Sequence, residues 1–148
     1  FTGQNIGAKK YDRVKKGIIQ GMTMSAIYTV VVSVILYTFG GSILKIFSSD
    51  QDVIRFGQEA ISIIAPFYLT MTVHQIIMGT LRGARKTVVT MLIGIGNMCI
   101  LRMLYINFLV PFFPSYHAVV LCYPITWITT MLMDSLYCWK AKWLPKTE

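Results

Sequence analysis

The sequence predicts an all-α integral membrane protein, a bundle of four transmembrane helices. Two observations carry the class. Hydrophobic residues make up 55% of the chain and charged residues 14%, against about a quarter charged in a soluble domain. The apolar residues also fall in runs long enough to cross a bilayer, with the basic residues gathered between the runs. Strands of a membrane barrel would be about ten residues long and alternate in polarity, which these runs do not.

Phe1 to Lys16 is polar and basic, with Lys9, Lys10, Arg13, Lys15 and Lys16 against the single acid Asp12. Helical spacing from Tyr11 leads into the first span without a breaker. Ile18 to Leu44 (18–44) holds no charged residue. As a helix it would be about 40 Å long, beyond the ~30 Å hydrocarbon core, so it should tilt or break near Gly40-Gly41. Gly17, Gly21, Ser25, Thr29 and Ser33 recur every fourth residue. Such a stripe lets a neighbouring helix approach closely where lipid gives no hydrophobic drive for association; lining a substrate path is its other reading.

Ser48-Ser49-Asp50-Gln51-Asp52 reads as a helix start, Ser49 capping with Asp52 three residues on and acids at the positive end of the dipole. Arg55 and Glu59 remain in water, and the second span runs 60–81 without a charge at neutral pH. Pro66 should kink it, and Gly79 with Gly83 forms a small-residue pair at its far end. Leu81-Arg82-Gly83-Ala84-Arg85-Lys86-Thr87 then brings three positive charges and no acid. It cannot sit in hydrocarbon, so the chain emerges there and turns back. The third span, 88–113, is interrupted by Arg102 and closed by Pro111, Phe112, Phe113 and Pro114; Tyr116 begins the turn back. The fourth, 117–139, has a second kink at Pro124 and Asp134 near its far end. Lys140, Lys142, Trp143 and Lys146 form a basic, aromatic exit that anchors at an interface.

Charge then sets the topology. The N-terminal segment, the central turn and the C-terminal tail hold all but three of the 14 Lys and Arg residues. Four spans put those segments on one face, so the positive-inside rule places both ends in the cytoplasm of a multi-pass protein of the cell membrane.

Several function classes fall away. The net charge of +8 could suggest nucleic acid, but long uncharged runs argue against such a partner; membrane lipid is the expected one. Cys99, Cys122 and Cys138 lie inside apolar runs without ligand spacing, which makes them core residues and implies no metal. No catalytic residue stands out: His74 and His117 join no cluster, and Gly94-Ile95-Gly96 is too short for a nucleotide loop and sits inside a span. No cofactor is implied. No signal peptide is visible, and a chain opening on Phe1 reads as the middle of something longer.

Polar residues inside the membrane are the better clues, since hydrocarbon penalises them unless something satisfies or uses them. Tyr68, Thr72 and Gln75 fall at i, i+4 and i+7 and share a face of the second span; they hydrogen-bond between helices or line a polar cavity. His74 lies beside them, and histidine as a residue type titrates near neutrality, so proton coupling is a reading alongside plain packing. Arg102 is too deep to be a loop charge and should face the bundle interior, a cavity or a partner. Counting from the outer turn puts Arg102 about 16 Å down and Asp134 about 25 Å, which argues against their pairing. Asp134 is placed equally well to meet Arg82 or Lys140 at the inner face, and Asn97 is the polar neighbour expected for Arg102.

Two stretches resemble one family. Gln4-Asn5-Ile6-Gly7-Ala8 followed by Lys9, Lys10, Arg13, Lys15 and Lys16 is similar to the Gln-x-x-Gly-Ala-plus-basic ending of a helix in multidrug and toxic compound extrusion (MATE) transporters. Leu81-Arg82-Gly83 with Thr87, preceded by Gly79 and Thr80, resembles that family's Leu-Arg-Gly-x-x-x-Thr after the next helix pair. The resemblance covers essentially the whole chain, and the two motifs stand in the right order and distance. It implies a fragment (1–148) of a twelve-helix, two-lobed transporter, ending the second lobe, with upstream helices of the same protein as partners. It also implies export of a small amphipathic or cationic substrate in exchange for protons or sodium by alternating access. Some members carry a coupling carboxylate on the helix matching the second span, around Met71. No acid lies between Glu59 and Asp134 here, so the coupling ion has no assignable site. The substrate-path candidates are Tyr68, Thr72, His74, Gln75, Asn97 and Arg102. A lipid-linked precursor flippase of the same broad superfamily and a non-transporting membrane scaffold are the alternatives. A small dimeric four-helix multidrug transporter would need an acid in its first span, which is absent.

Overall fold

The structure, a computed structural model, describes residues 1–141 and 143. Among them, four helices long and apolar enough to cross a membrane run Tyr11–Phe47, Gln51–Gly83, Thr87–Phe112 and Tyr116–Lys140. The turns between them are short, so neighbours run antiparallel. The fourth span is the most buried and the first the least.

A short helix α1 (Thr2–Gly7) precedes α2 (Tyr11–Phe47). At 37 residues α2 is about 55 Å long, and it does not break at Gly40-Gly41. Those glycines serve close approach instead: a Cβ on Gly40 would meet Ile61 Cδ1 at 3.0 Å, and one on Gly41 would meet Gln58 Oε1 at 2.8 Å. The second span packs on them.

That span opens with α3 (Gln51–Ile64), and the cap is Asp50 rather than Ser49. Asp50 Oδ1 accepts from the amides of Asp52 (2.8 Å) and Val53 (3.4 Å), while Ser48 Oγ accepts from the Asp50 amide at 3.1 Å. A carboxylate two residues ahead of free amides is the stronger acceptor. Around Pro66, which has no N–H to give, Ala65–Phe67 winds as a 3₁₀ turn, and α4 (Tyr68–Gly83) follows.

The third span departs from the uniform helix expected. It runs α5 (Thr87–Gly94), a π-wound stretch over Ile95–Leu101, one turn α6 (Arg102–Leu104), a second π-wound stretch over Tyr105–Leu109, and a 3₁₀ turn at Val110–Phe112. The fourth span is α7 (Tyr116–Lys140), unbroken through Pro124. Ser115 Oγ caps it from the Ala118 amide at 3.2 Å, so Tyr116 starts the helix rather than the turn, and its hydroxyl donates to the Phe56 carbonyl at 2.7 Å. Lys142 and Lys146 of the expected basic exit lie outside the described residues. Of the cysteines only Cys122 is a buried core residue; Cys138 is half-buried and Cys99 exposed.

Two turns on the basic face share one build. Gly7-Ala8-Lys9-Lys10 and Gly83-Ala84-Arg85-Lys86 place Lys9 (φ 57°) and Arg85 (φ 62°) in the left-handed region. Lys10 N–H donates to Asn5 O (2.8 Å) and Lys9 N–H to Ile6 O (3.0 Å); Lys86 N–H donates to Leu81 O (2.9 Å) and Arg85 N–H to Arg82 O (3.1 Å). This is the Schellman closure, with a basic side chain where glycine is commonest. The two helix ends also touch. A Cβ on Gly83 would lie 2.7 Å from Thr2 Cβ and 3.2 Å from Gly3 N, whereas one on Gly79 would meet nothing within 4 Å. Of the expected glycine pair only Gly83 serves a close approach.

Candidate functional site

α7 holds the partners of polar residues from the second and third spans. Three levels follow down its buried face. At the outer level Arg102 Nη2 donates to Thr126 Oγ1 at 3.0 Å and lies 3.7 Å from Met98 Sδ, with its guanidinium carbon 4.6 Å from the Tyr123 ring centre. Thr126 can accept because its own hydroxyl is turned to the Cys122 and Tyr123 carbonyls, each at 2.9 Å. Arg102 Nε is buried without a hydrogen-bond partner among the described residues. Beside it Tyr68 stacks at 5.8 Å on Trp127, which meets Tyr123 at 6.2 Å.

Thr130 forms the middle level, fully buried and bonded back to the Thr126 carbonyl. At the inner level His74 Nδ1 and Asp134 Oδ2 are 2.6 Å apart, with His74 3% and Asp134 0% exposed. Asp134 Oδ1 is buried and has no hydrogen-bond partner among the described residues. Asn97 reaches α7 one residue before Asp134: its Nδ2 donates to the Ile93 carbonyl at 3.3 Å and to Met133 Sδ at 2.8 Å.

Two expectations are corrected here. Asp134 meets neither Arg82 nor Lys140 but His74, because α4 lies against α7 at the same depth. Among the described residues Asn97 makes no hydrogen bond to Arg102; its amide donates to the Ile93 carbonyl and to Met133 Sδ instead. The face drawn through Tyr68, Thr72 and Gln75 also divides. Thr72 turns to α2, donating to the Tyr68 carbonyl at 3.0 Å and pairing with Thr29 Oγ1 at 2.7 Å. Tyr68 and Thr72 line one cleft with Tyr28 and Thr29, while exposed Gln75 lines a separate groove with Gly17, Gly21 and Gly79. The small-residue stripe of α2 thus faces α4. Thr126 and Tyr123 are not marked in the sequence, since threonine and tyrosine in an apolar run give no signal by themselves. The His74–Asp134 pair was open to a depth count: His74 lies about 12 Å from Arg82 and Asp134 about 9 Å from Lys140 along their helices.

Comparison with known proteins decides the family. The MatE family matches residues 1–109, most of the chain. The chain belongs to the MatE family. MatE relatives include the "Probable multidrug resistance protein YoeA" of Bacillus subtilis, 31% identical over 84 residues, which are 57% of this chain and 18% of that protein. Another is the "Probable multidrug resistance protein NorM" of Thermotoga maritima, 28% identical over 93 residues, 63% of this chain and 20% of that protein. The chain thus spans about a fifth of the length of these relatives. No solved structure matches it significantly. The MatE match ends before α7, so the helix that gathers the polar residues lies beyond the matched segment.

Proposed function

We propose that the chain is the closing part of the second lobe of a secondary active transporter. That transporter exports drugs or organic cations in exchange for protons or sodium by alternating access, without covalent chemistry. It sits in the cell membrane with both ends of this chain in the cytoplasm, and its upstream helices complete the two-lobed cavity. Membership of a family whose relatives are named multidrug resistance proteins supports the reading. The observation that carries it is Arg102: a guanidinium inside an apolar bundle, held by a hydroxyl and an aromatic face, with one N–H still to be satisfied. A purely structural bundle has little reason to bear that desolvation cost.

The full-length gene product, expressed in a bacterial strain lacking its own efflux pumps, should lower ethidium accumulation and raise ethidium resistance. Arg102→Ala should abolish that export at equal membrane expression. Normal export by Arg102→Ala would remove Arg102 from the transport path. No export by well-expressed wild type would favour the non-transporting scaffold.

A further inference from the structure

We propose that His74 and Asp134 together form the proton-binding site of the transporter, loaded and unloaded as α4 tightens and loosens on α7. The inference rests on the transporter reading and names its coupling ion. Its basis is the 2.6 Å contact between two titratable side chains, both nearly fully buried, on helices from different parts of the chain. Two charge states are open to such a pair. With one proton, the imidazole N–H faces a carboxylate and the pair is net negative; with two, it is neutral. The second proton makes the His74 ring an imidazolium, with the Asp134 carboxylate as its counter-ion, and among the described residues Asp134 Oδ1 is buried with no other bond.

The surroundings leave the pair to itself. On α4 the nearest charge is exposed Arg82, about 12 Å along the helix. On α7, Tyr137 and Cys138 lie one turn beyond Asp134, and Lys140 about 9 Å beyond. From the third span, α5 brings no titratable group, the π-wound stretch brings Asn97 and exposed Cys99, and Arg102 is held at Thr126, about 12 Å away along α7. α3 offers Asp52, Arg55 and Glu59 only at the opposite end, where Asp52 meets Arg55 and Glu59 meets His117. α2 packs on α4 with no charge between Lys16 and Lys45. Among the described residues, a proton gained or lost at the pair is therefore uncompensated by a neighbour.

The consequence is mechanical. An imidazolium–carboxylate bond is charge-assisted and holds α4 to α7 more firmly than an imidazole–carboxylate bond does. The proton comes from water on one face and leaves to water on the other, with no covalent bond changed. The unloaded, net negative pair favours a cation in the cavity that the upstream helices complete, and the loaded one releases it. Proton and organic cation are then linked by thermodynamic reciprocity.

The test uses full-length protein in nanodiscs with ethidium as probe. Wild type should bind ethidium about tenfold tighter at about pH 8 than at about pH 6 and release protons on binding. The double variant His74→Gln with Asp134→Asn keeps an interhelical amide hydrogen bond but holds no titratable proton. It should bind ethidium with no pH dependence and no proton release, whereas a residue pair that only braces the helices would leave both intact. His74→Gln alone gives the same readout in a background that retains Asp134. Proton release surviving in either variant overturns the proposal. So does wild type that binds ethidium without releasing protons, and that outcome leaves the transporter reading standing. Wild type that binds no ethidium and exports none overturns both.

Discussion

Lys9 and Arg85 each occupy a left-handed backbone position that glycine would fill at no steric cost. Holding a side chain there costs about 1 kcal/mol. Arg85→Gly should therefore raise the thermal stability of the detergent-solubilised protein or leave it unchanged, and Arg85→Val should lower it; a scan of both variants checks the order. That positive charge is kept at a strained position is what the basic face would require if its charges hold its orientation. At this scale the sequence was partly legible. Arg102 and Asp134 stood out as charges in apolar runs, and counting depth kept them apart. The partner of Asp134 did not stand out, because His74 was read with its sequence neighbours Tyr68, Thr72 and Gln75. In the structure those face α2, Trp127 and a lateral groove, while His74 faces α7.

Helix ends and winding decide the rest at the level of elements. Gly83 lets α1 reach the end of α4, and Gly79 meets nothing. Gly83→Ala should detach α1 and expose the turn to protease, whereas Gly79→Ala should be silent or slightly stabilising, since alanine favours a helix by about 1 kcal/mol over glycine; limited proteolysis distinguishes the two. The existence of all four spans could be read from hydropathy. The π winding of the third could not, because bonding to the fifth rather than the fourth residue changes neither composition nor run length. It follows that the stretch Ile95–Leu101 carries a residue more than α-helical winding needs. Deleting Ile100 should leave the flanking segments in phase and preserve folding, whereas deleting Val30 from α2 should rotate the rest of that helix by about 100° and disrupt its glycine contacts. Fluorescence-detected size exclusion of the two deletions reports the difference.

Across the whole molecule, four spans and three basic segments produce a strongly one-sided arrangement. The opposite face has Asp50, Asp52 and Glu59 against Lys45 and Arg55, and two of those acids are already paired with a base, Asp52 with Arg55 and Glu59 with His117. The bundle is legible as a bundle because its sidedness is written in residue type; which helix lies at its centre is not, since α7 is no more apolar than the others and earns its place through small and hydroxyl side chains such as Thr126 and Thr130. The sidedness also has an electrical meaning. A membrane potential acts on each elementary charge with about 2.3 kcal/mol per 100 mV. Arg13, Lys15 and Lys16 with Arg82, Arg85 and Lys86 would together do several times that work if the bundle were turned over against a field negative on their side. With the basic face on the negative side, as proposed, an energised membrane would act as a ratchet on this chain, holding its orientation long after insertion is complete.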